Sequence, residues 1–296
     1  MKPGILVVFK PEGITSHCVI SKLRYLLQER QIGHCGTLDP MASGVLPVMI
    51  GSAVKASDYL VEHDKCYTAG ITLGITTDTQ DTTGKVIFRY EGRLPEFEEF
   101  RSAAEAFQGE IMQTPPMYSA LKVGGVKLLD YAREGITVER NSRAVTIHSI
   151  HAFERGGGYY LDVHCSRGTY IRTLCEDIGR ALGCGGCMSS LVRTRVGRFR
   201  SEDSVFFDDL NGMTVPEIEQ KMIPVEDLFM QLPAGRLEPF YEHLYRNGEK
   251  IKTKKLRGID GEPGTEYRIY NENGFYSVGI ITEKDGITYF GKKKLF

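Results

Sequence analysis

The sequence predicts an α+β fold, with a mixed, largely antiparallel sheet and inserted helices, followed by a small β-barrel-like C-terminal domain. Apolar residues alternate with period two over residues 65–73, which is typical of a half-buried strand. They recur at helical spacing over residues 15–27 and 95–107, which predicts amphipathic helices. Strands and helices do not alternate in the regular β-α-β order of a parallel fold. We therefore expect a large domain over residues 1–231 and a small one over residues 232–296.

The N-terminal half contains the better-defined elements. Apolar runs and period-two alternation predict strands over residues 5–9, 45–50, 65–73 and 85–90. Helical spacing predicts helices over residues 15–27, 53–61 and 95–107. Thr15 or Ser16 is the expected N-cap of the first helix, because a side-chain oxygen there can accept a bond from an unpaired N–H group.

The C-terminal half is richer in strands. We expect strands over residues 136–140, 144–153, 159–165, 267–270, 275–281 and 287–290, with a hairpin turn at the glycines of 156–158. Residues 169–182 predict a helix that Gly183 ends. Between residues 201 and 232 the sequence is acidic and irregular, with one short helix.

Composition excludes several classes of protein. The chain has 296 residues, and no apolar run approaches the roughly 18 residues that span a membrane. No cleavage site follows the first apolar run, so we expect no secretory signal, and the seven cysteines then predict free thiols in a reducing cytoplasm. The formal net charge is −1, so affinity for nucleic acid must come from local basic patches. The sequence has neither a G-x-G-x-x-G loop nor a P-loop, so no nucleotide cofactor is expected.

Residues 33–44 (G-H-C-G-T-L-D-P-M-A-S-G) form the most informative segment. Its glycines and proline, with no apolar periodicity, predict an ordered loop. Pro40 restricts the backbone of Asp39, because a residue before proline favours extended geometry. Asp39, with His34 nearby, has the groups for covalent or acid–base chemistry. An Asp before a proline is also common in ordinary turns, where its carboxylate bonds the local backbone, and the segment alone favours that interpretation.

Five further segments appear in a fixed order around this loop. They are residues 10–16 (K-P-E-G-I-T-S), 65–74 (K-C-Y-T-A-G-I-T-L-G), 77–81 (T-D-T-Q-D), 115–122 (P-P-M-Y-S-A-L-K) and 166–172 (S-R-G-T-Y-I-R). Together the six segments resemble the bacterial tRNA pseudouridine synthases of the TruB family, which isomerise uridine 55 in the T loop. The resemblance implies the pseudouridine synthase fold. It also implies no cofactor, because the reaction breaks the N1–C1′ bond and rejoins the base through C5 with nothing oxidised.

The resemblance implies three catalytic residues. Asp39 matches the family's nucleophile, and a carboxylate is a competent covalent catalyst. Attack at C1′, addition to C6 and a glycal route all stay open. Arg172 matches the arginine that pairs with this aspartate, and a guanidinium can hold a carboxylate bidentately. Tyr67 matches the tyrosine that stacks on the target base. By pattern alone, Tyr67 would be a core residue and Arg172 a surface arginine of a helix.

The resemblance also implies contacts with the substrate. Tyr170 and Leu191 match positions of the uracil pocket, although either would usually be ordinary packing. His34 matches a histidine that lies against the flipped nucleotide, since enzymes that act on a base must extrude it from the stack. Lys10 is a candidate phosphate contact, and a solvated turn lysine is an equal alternative.

Two basic clusters predict phosphate contacts, which supply most non-specific affinity for RNA. The first cluster comprises Arg193, Arg195, Arg198 and Arg200. The second cluster comprises Arg246, Lys250, Lys252, Lys254, Lys255 and Arg257. The C-terminal region that carries the second cluster resembles a PUA domain, a small β-barrel that binds RNA.

The sequence departs from the family pattern at four positions. Leu129 stands in place of a usual tyrosine and Val192 in place of a usual arginine. Cys184 and Cys187 form a C-x-x-C motif, but a structural zinc site requires a second pair, so we expect no metal.

The expected partner is the T arm of tRNA, bound by a monomer without a guide RNA or a membrane. Three alternatives stay open. A guide-RNA-dependent synthase is disfavoured because the chain lacks long extensions. An RNA-binding or tRNA-folding protein of the same fold would act without catalysis. An enzyme for another modification, such as methylation, would need a dinucleotide- or adenosyl-type glycine loop.

Overall fold

The computed structural model describes residues 2–61 and 63–296 and confirms the α+β prediction. The strands are β1 (Gly4–Lys10), β2 (Ile32–His34), β3 (Ala42–Ile50), β4 (Lys65–Leu73), β5 (Ile75–Thr77), β6 (Val86–Arg89), β7 (Gly109–Gln113), β8 (Lys122–Val123), β9 (Val126–Lys127), β10 (Arg143–Arg155), β11 (Gly158–Cys165), β12 (Gly186–Val196), β13 (Phe199–Arg200), β14 (Val205–Phe206), β15 (Ile223–Pro224), β16 (Ala234–Arg236), β17 (Ile251–Lys252), β18 (Glu266–Asn271), β19 (Gly274–Lys284) and β20 (Ile287–Leu295). The α-helices are α1 (Ser16–Leu27), α2 (Ser57–Val61), α3 (Phe97–Glu105), α4 (Leu128–Arg133), α5 (Ile171–Ala181), α6 (Val215–Lys221) and α7 (Pro239–Arg246). Short 3₁₀ helices lie at Gly51–Ala56, Ser201–Asp203, Asp209–Asn211, Val225–Phe229 and Thr253–Lys255.

A large mixed sheet forms the main body, in the order β14-β1-β3-β12-β4-β11-β10-β7. Most neighbouring strands are antiparallel, while β1 with β14 and β3 with β12 are parallel. Helices α3 and α5 cover one face, where Phe100 and Leu174 pack on Ala69 and Leu161. In β4, Tyr67, Ala69 and Ile71 all belong to this core, so the period-two pattern assigned the correct face.

Helix α5 lies so close to the start of β12 that only glycine fits at position 179 of the helix. A Cβ added to Gly179 would lie 2.2 Å from the backbone nitrogen of Gly186. The helix begins at Ile171 rather than at residue 169, and Gly183 follows its end with φ +72°, as predicted. This contact fixes the position of α5 on the sheet and therefore of Arg172, its second residue.

Several sequence predictions were wrong in detail. The loop predicted over residues 33–44 is shorter, because β2 extends to His34 and β3 begins at Ala42. Residues 136–140 form no strand and are mostly exposed. The central strand β12 was missed, because two β-bulges interrupt its alternation and an arginine-rich sequence hides its buried positions. The short strands β14 and β15, in the segment predicted to be irregular, pair with β1.

The C-terminal segment forms a second, curled sheet in the order β16-β18-β19-β20-β17. Tyr245, Ile269 and Phe290 lie in its own core. On its other side, Phe275, Val278 and Phe296 pack on Phe229 and other residues of the main body. The boundary at residues 231/232 therefore stays a prediction, because the small sheet has its own core and also shares one. Among the described residues, no helix has the length and apolar character needed to cross a membrane.

Phe229 provides a test of the shared core. It is 1% exposed, and its ring centroid lies 4.8 Å from that of Tyr59, 5.7 Å from Phe275 and 5.6 Å from Phe296. Phe229→Ala should reduce the free energy of unfolding by about 3–5 kcal/mol, because it leaves a cavity between the two sheets. Urea denaturation measures this loss, and Phe240→Ala, at a 69% exposed ring, is the control. A loss as small as in the control would mean that the sheets do not share this core.

Candidate active site

A cavity of about 610 Å³ opens between the loop after β2, the start of α5 and strands β4 and β12. Five of the seven predicted site residues line it, namely Asp39, Tyr67, Tyr170, Arg172 and Leu191. Lys65, Arg143, Arg167 and Arg193 bring positive charge to the same cavity. The motifs that are far apart in the sequence therefore converge on one site.

The backbone around Asp39 is fixed from both sides. The Ser16 hydroxyl accepts a hydrogen bond from the Leu38 N–H (2.9 Å) and donates one to the Leu38 carbonyl (3.0 Å). The Gly13 N–H donates to the Pro40 carbonyl (2.8 Å). Thr15, not Ser16, is the N-cap of α1, which leaves Ser16 free to hold this loop. These contacts present the Asp39 carboxylate to the cavity with 39% of its side chain exposed.

Arg172 connects Asp39 to two backbone carbonyls. Its Nε lies 3.0 Å from Oδ2 of Asp39, while Nη1 donates to the Thr79 carbonyl (3.1 Å) and Nη2 to the Tyr118 carbonyl (2.7 Å). The expected pairing is present, but through one nitrogen instead of a bidentate fork. Burial raises the pKa of Asp39, and the adjacent Arg172 charge opposes that rise.

The turn that follows β5 supports Arg172. Oδ1 of Asp81 accepts hydrogen bonds from the hydroxyls of Thr79 (2.8 Å) and Thr83 (2.6 Å) and from the Thr83 N–H (3.0 Å). Its Oδ2 lies 3.7 Å from Nη1 of Arg172. The sequence signal for this turn was the T-D-T-Q-D match, to which no role had been assigned. Asp81 thus adds a second carboxylate beside the guanidinium.

Tyr67 and Arg193 form the buried wall of the cavity. Tyr67 is 8% exposed, and burial raises its pKa to about 12. The Arg193 guanidinium lies beside the Tyr67 hydroxyl and donates from Nε to the Val45 carbonyl (2.8 Å) and from Nη2 to the Gly36 carbonyl (2.9 Å). The close passage of β3 and β12 requires Gly44, where an added Cβ would lie 2.2 Å from the Arg193 carbonyl oxygen.

The first basic cluster is therefore not a continuous phosphate track. Arg193 is 1% exposed and binds backbone carbonyls in the interior. The prediction that it contacts phosphate is therefore wrong. Arg195 contacts His164 through Nη2, at 3.0 Å from its Nε2. Arg198 and Arg200 remain more than half exposed, beside Asp227 and Glu202 respectively.

Gln113 positions Tyr170 at the start of α5. Its side-chain oxygen accepts from the Tyr170 N–H (2.7 Å), and its side-chain nitrogen donates to the Tyr170 carbonyl (3.0 Å). The Arg143 guanidinium lies 5.4 Å from the Tyr170 ring centroid. Leu191 occupies β12 opposite Ala42 of β3 and Ala69 of β4. Sequence reasoning missed Gln113, because a buried glutamine in a short strand carries no recognisable signal.

Two predicted substrate contacts lie outside the cavity lining. Lys10 is fully buried and donates to the Pro11 and Ile14 carbonyls, both at 2.8 Å. Burial lowers its pKa to about 8. The phosphate-contact prediction is wrong for Lys10, because its ammonium group holds the local loops and cannot be reached. His34 lies half-buried in β2, where burial and the Arg193 charge lower its pKa, and its contact with RNA stays a prediction.

The C-x-x-C cysteines are both buried. Burial raises the pKa of each thiol, that of Cys187 to about 11. A metal binds thiolates rather than thiols, so this environment opposes metal ligation by Cys184 and Cys187. All seven cysteines of the chain are free.

Two family models match consecutive parts of the chain. The TruB family pseudouridylate synthase N-terminal domain matches residues 24–171, and the tRNA pseudouridylate synthase B C-terminal domain matches residues 172–230. Together they cover more than half of the sequence.

Relatives named tRNA pseudouridine synthase B match nearly the whole chain. The protein of Alkaliphilus oremlandii is 40% identical over 95% of this chain and 94% of its own. The protein of Clostridium acetobutylicum is 41% identical over 95% of this chain and 96% of its own. The protein of Aromatoleum aromaticum is 41% identical over 99% of this chain and 92% of its own. Among solved structures, a Cbf5-Nop10-Gar1 complex contains a chain with TM-score 0.70 and 26% identity, covering 99% of this chain and 84% of that one.

The fold, the order of the motifs and these matches define an isomerase of the pseudouridylate synthase class. Within that class, the chain belongs to the TruB family.

Arg172→Lys tests the geometry of the site. Lysine keeps the positive charge but cannot reach Asp39 and both carbonyls together, because it is a single point of charge. The single-turnover rate should fall by about 100-fold, as for other small misplacements of reacting groups, while RNA affinity changes only a few-fold. Arg180→Lys in the same helix, where the side chain is 70% exposed, is the matched control. An unchanged rate in Arg172→Lys would remove Arg172 from the catalytic set.

Proposed function

We propose that the protein converts uridine 55 in the T loop of tRNA to pseudouridine, with the uridine flipped into the cavity and Asp39 as nucleophile. The observation that carries this proposal is the arrangement of Asp39, which is partly exposed to a cavity and paired with the buried Arg172. The names of the relatives, at about 40% identity over nearly the full chain, support tRNA as substrate.

Asp39 must be ionised to act as a nucleophile. Burial raises the pKa of Asp39 above its ordinary value, and the Arg172 charge at 3.0 Å limits this rise by favouring the carboxylate. The free carboxylate oxygen then attacks the sugar or the ring carbon of the uridine. The N1–C1′ bond breaks, the base turns, a C5–C1′ bond forms as the carboxylate is released, and N1 takes up a proton. The proton on C5 is released, so the reaction balances without an oxidant or a cofactor.

The other cavity residues are suited to hold the base. The Tyr67 ring offers a stacking surface, and its hydroxyl, with a pKa of about 12, remains protonated at neutral pH. Tyr170 and Leu191 provide apolar contacts on the remaining sides. His34 lies beside the loop in its neutral form, since its pKa is lowered, and would contact the extruded nucleotide through its ring.

A guide-independent reaction fits the relatives better than a guide-dependent one. Two solved neighbours, from an archaeal box H/ACA Nop10-Cbf5 complex and a Cbf5-Nop10-Gar1 complex, are 25% and 26% identical to this chain, whereas the relatives named tRNA pseudouridine synthase B reach about 40%. A tRNA-folding protein without catalysis is the second candidate. The complete set of Asp39, Tyr67 and Arg172 in one cavity disfavours it, because RNA binding alone requires no carboxylate facing the substrate.

Asp39→Asn should abolish the reaction, while the protein still folds and binds RNA. The isosteric amide keeps an oxygen that can accept the hydrogen bond from Nε of Arg172, although it removes the charge. With an unmodified T-arm hairpin labelled with tritium at C5 of uridine 55, and no guide RNA, nucleotide or added metal, tritium release should fall by more than about 1,000-fold. Asp285→Asn, in an exposed turn, is the matched control. If Asp39→Asn turns over within tenfold of the wild-type rate, Asp39 is not the nucleophile. If the wild-type protein binds the hairpin but forms no pseudouridine in it, the tRNA-folding alternative is supported.

The C-terminal sheet is proposed to be a PUA-like module that binds tRNA away from the target base. Lys254, Lys255 and Arg257 of the second basic cluster are exposed, as a phosphate contact requires. Arg246 is about half exposed and packs over Tyr276, at 5.5 Å from the ring centroid. Because this sheet shares a core with the main body, the test must use the full chain rather than a truncation.

The double variant Lys254→Gln with Lys255→Gln should weaken tRNA binding and make it less dependent on salt. Fewer counterions are released per complex, so the slope of log affinity against log salt should decrease by about 1–2. The single-turnover rate at saturating tRNA should remain within a few-fold. Lys2→Gln with Lys221→Gln removes two exposed charges elsewhere as the control. Equal effects of the two double variants would contradict a specific role for this cluster.

A further inference from the structure

On the sheet face opposite the cavity, two histidines and an aspartate converge where β4, β10 and β11 meet. Asp64 immediately precedes β4, His148 lies in β10 and His164 in β11. Nε2 of His148 is 3.2 Å and Nε2 of His164 is 3.8 Å from Oδ2 of Asp64. The three ligand atoms all lie within 4.8 Å of one another. Neither the family resemblance nor the proposed reaction uses any of these residues.

The backbone favours this convergence. Ile147 pairs with Cys165 and Ser149 with His164, so His148 is the additional residue of a β-bulge. A bulge leaves its additional residue unpaired, changes the direction of its side chain and is over-represented near functional sites. The backbone of Asp64 is held by a hydrogen bond from the Gly197 N–H to its carbonyl (2.9 Å).

We propose that Asp64, His148 and His164 form a binding site for a divalent transition-metal ion. Ligands at 2.0–2.1 Å around a tetrahedral ion lie about 3.3 Å apart, which matches the distance between His148 and Asp64. The distance between His164 and Asp64 must shorten by about 0.5 Å to match the same geometry. The three side chains are 32–45% exposed, so they have room for this adjustment and for a water molecule as fourth ligand.

The donor set selects the class of ion. Two imidazoles with one carboxylate suit Zn²⁺, Cu²⁺ or Ni²⁺, whereas Mg²⁺ and Ca²⁺ prefer oxygen ligands. Zn²⁺ has no preferred geometry of its own and therefore tolerates the approximate arrangement best.

Arg195 competes with the ion for Nε2 of His164. Its Nη2 lies 3.0 Å from Nε2 of His164, and a guanidinium can only donate hydrogen bonds. Nε2 of His164 is therefore the unprotonated nitrogen, whose lone pair a metal requires. An entering ion displaces this hydrogen bond and meets the positive charge of Arg195, so Arg195 lowers the affinity of the site.

Calorimetric titration of the chelator-treated full chain with Zn²⁺ tests the site. The protein should carry Cys18→Ser, because Cys18 has an exposed free thiol and cysteine thiolates are zinc ligands. We expect one ion per chain. His148→Ala and His164→Ala should each weaken binding at least tenfold, and Arg195→Gln should strengthen it several-fold. With Co²⁺ in place of Zn²⁺, visible absorption bands of a tetrahedral complex should appear and be lost in His164→Ala.

His151→Ala is the matched control, because it removes another exposed histidine from β10. Pseudouridine formation by the variants at His148, His164 and His151 shows that each is folded, since none of these residues lines the cavity. Absence of saturable Zn²⁺ binding in the Cys18→Ser protein would overturn the proposal. So would binding that both cluster variants leave unchanged, or that His151→Ala weakens equally.

Discussion

The contact between Arg172 and Asp39 is the interaction on which the geometry of the cavity depends. A guanidinium that is 6% exposed is stable only if its N–H groups are all satisfied. Asp39 satisfies one nitrogen, and the carbonyls of Thr79 and Tyr118 satisfy the others. Removing one partner of such a buried charge typically costs about 3–5 kcal/mol. One side chain therefore fixes three loops that are distant in the sequence, namely those that carry Asp39, Thr79 and Tyr118. The position of the Asp39 carboxylate depends on the positions of these loops.

Arg193 extends the same principle to the other side of the cavity. It is almost completely buried, and it connects β12 to the Gly36 and Val45 carbonyls on either side of Asp39. Lys10 likewise donates hydrogen bonds to backbone carbonyls, those of Pro11 and Ile14. These cations bind backbone carbonyls inside the protein, so their charge holds the loops around the cavity instead of forming an exposed surface for RNA.

The sequence was sufficient where a local pattern has one structural meaning. The helical spacing of α1, the alternation of β4 and the glycine after α5 each identified an element, and the motifs identified the cavity residues Asp39 and Tyr67. The pattern failed where tertiary context reverses the usual meaning of a residue. Lysine and arginine are usually exposed, so Lys10 and Arg193 were assigned to phosphate, although buried carbonyls satisfy both. Strand β12 was hidden for the same reason, since its bulges break the period and its buried arginine imitates a surface residue.

Alternation along β4 separates the two proposed sites on one strand. Lys65 and Tyr67 face the cavity, whereas Cys66 lies between them on the opposite face, directly across from His164 in β11. The hydrogen-bonded ladder from β4 to β11 and β10 fixes this register over its whole length. A slip by one residue would exchange the two faces and bury the His/Asp cluster. An ion bound on the outer face therefore connects β10 and β11 to the residue before β4 without moving Tyr67, so metal binding and catalysis are expected to be independent.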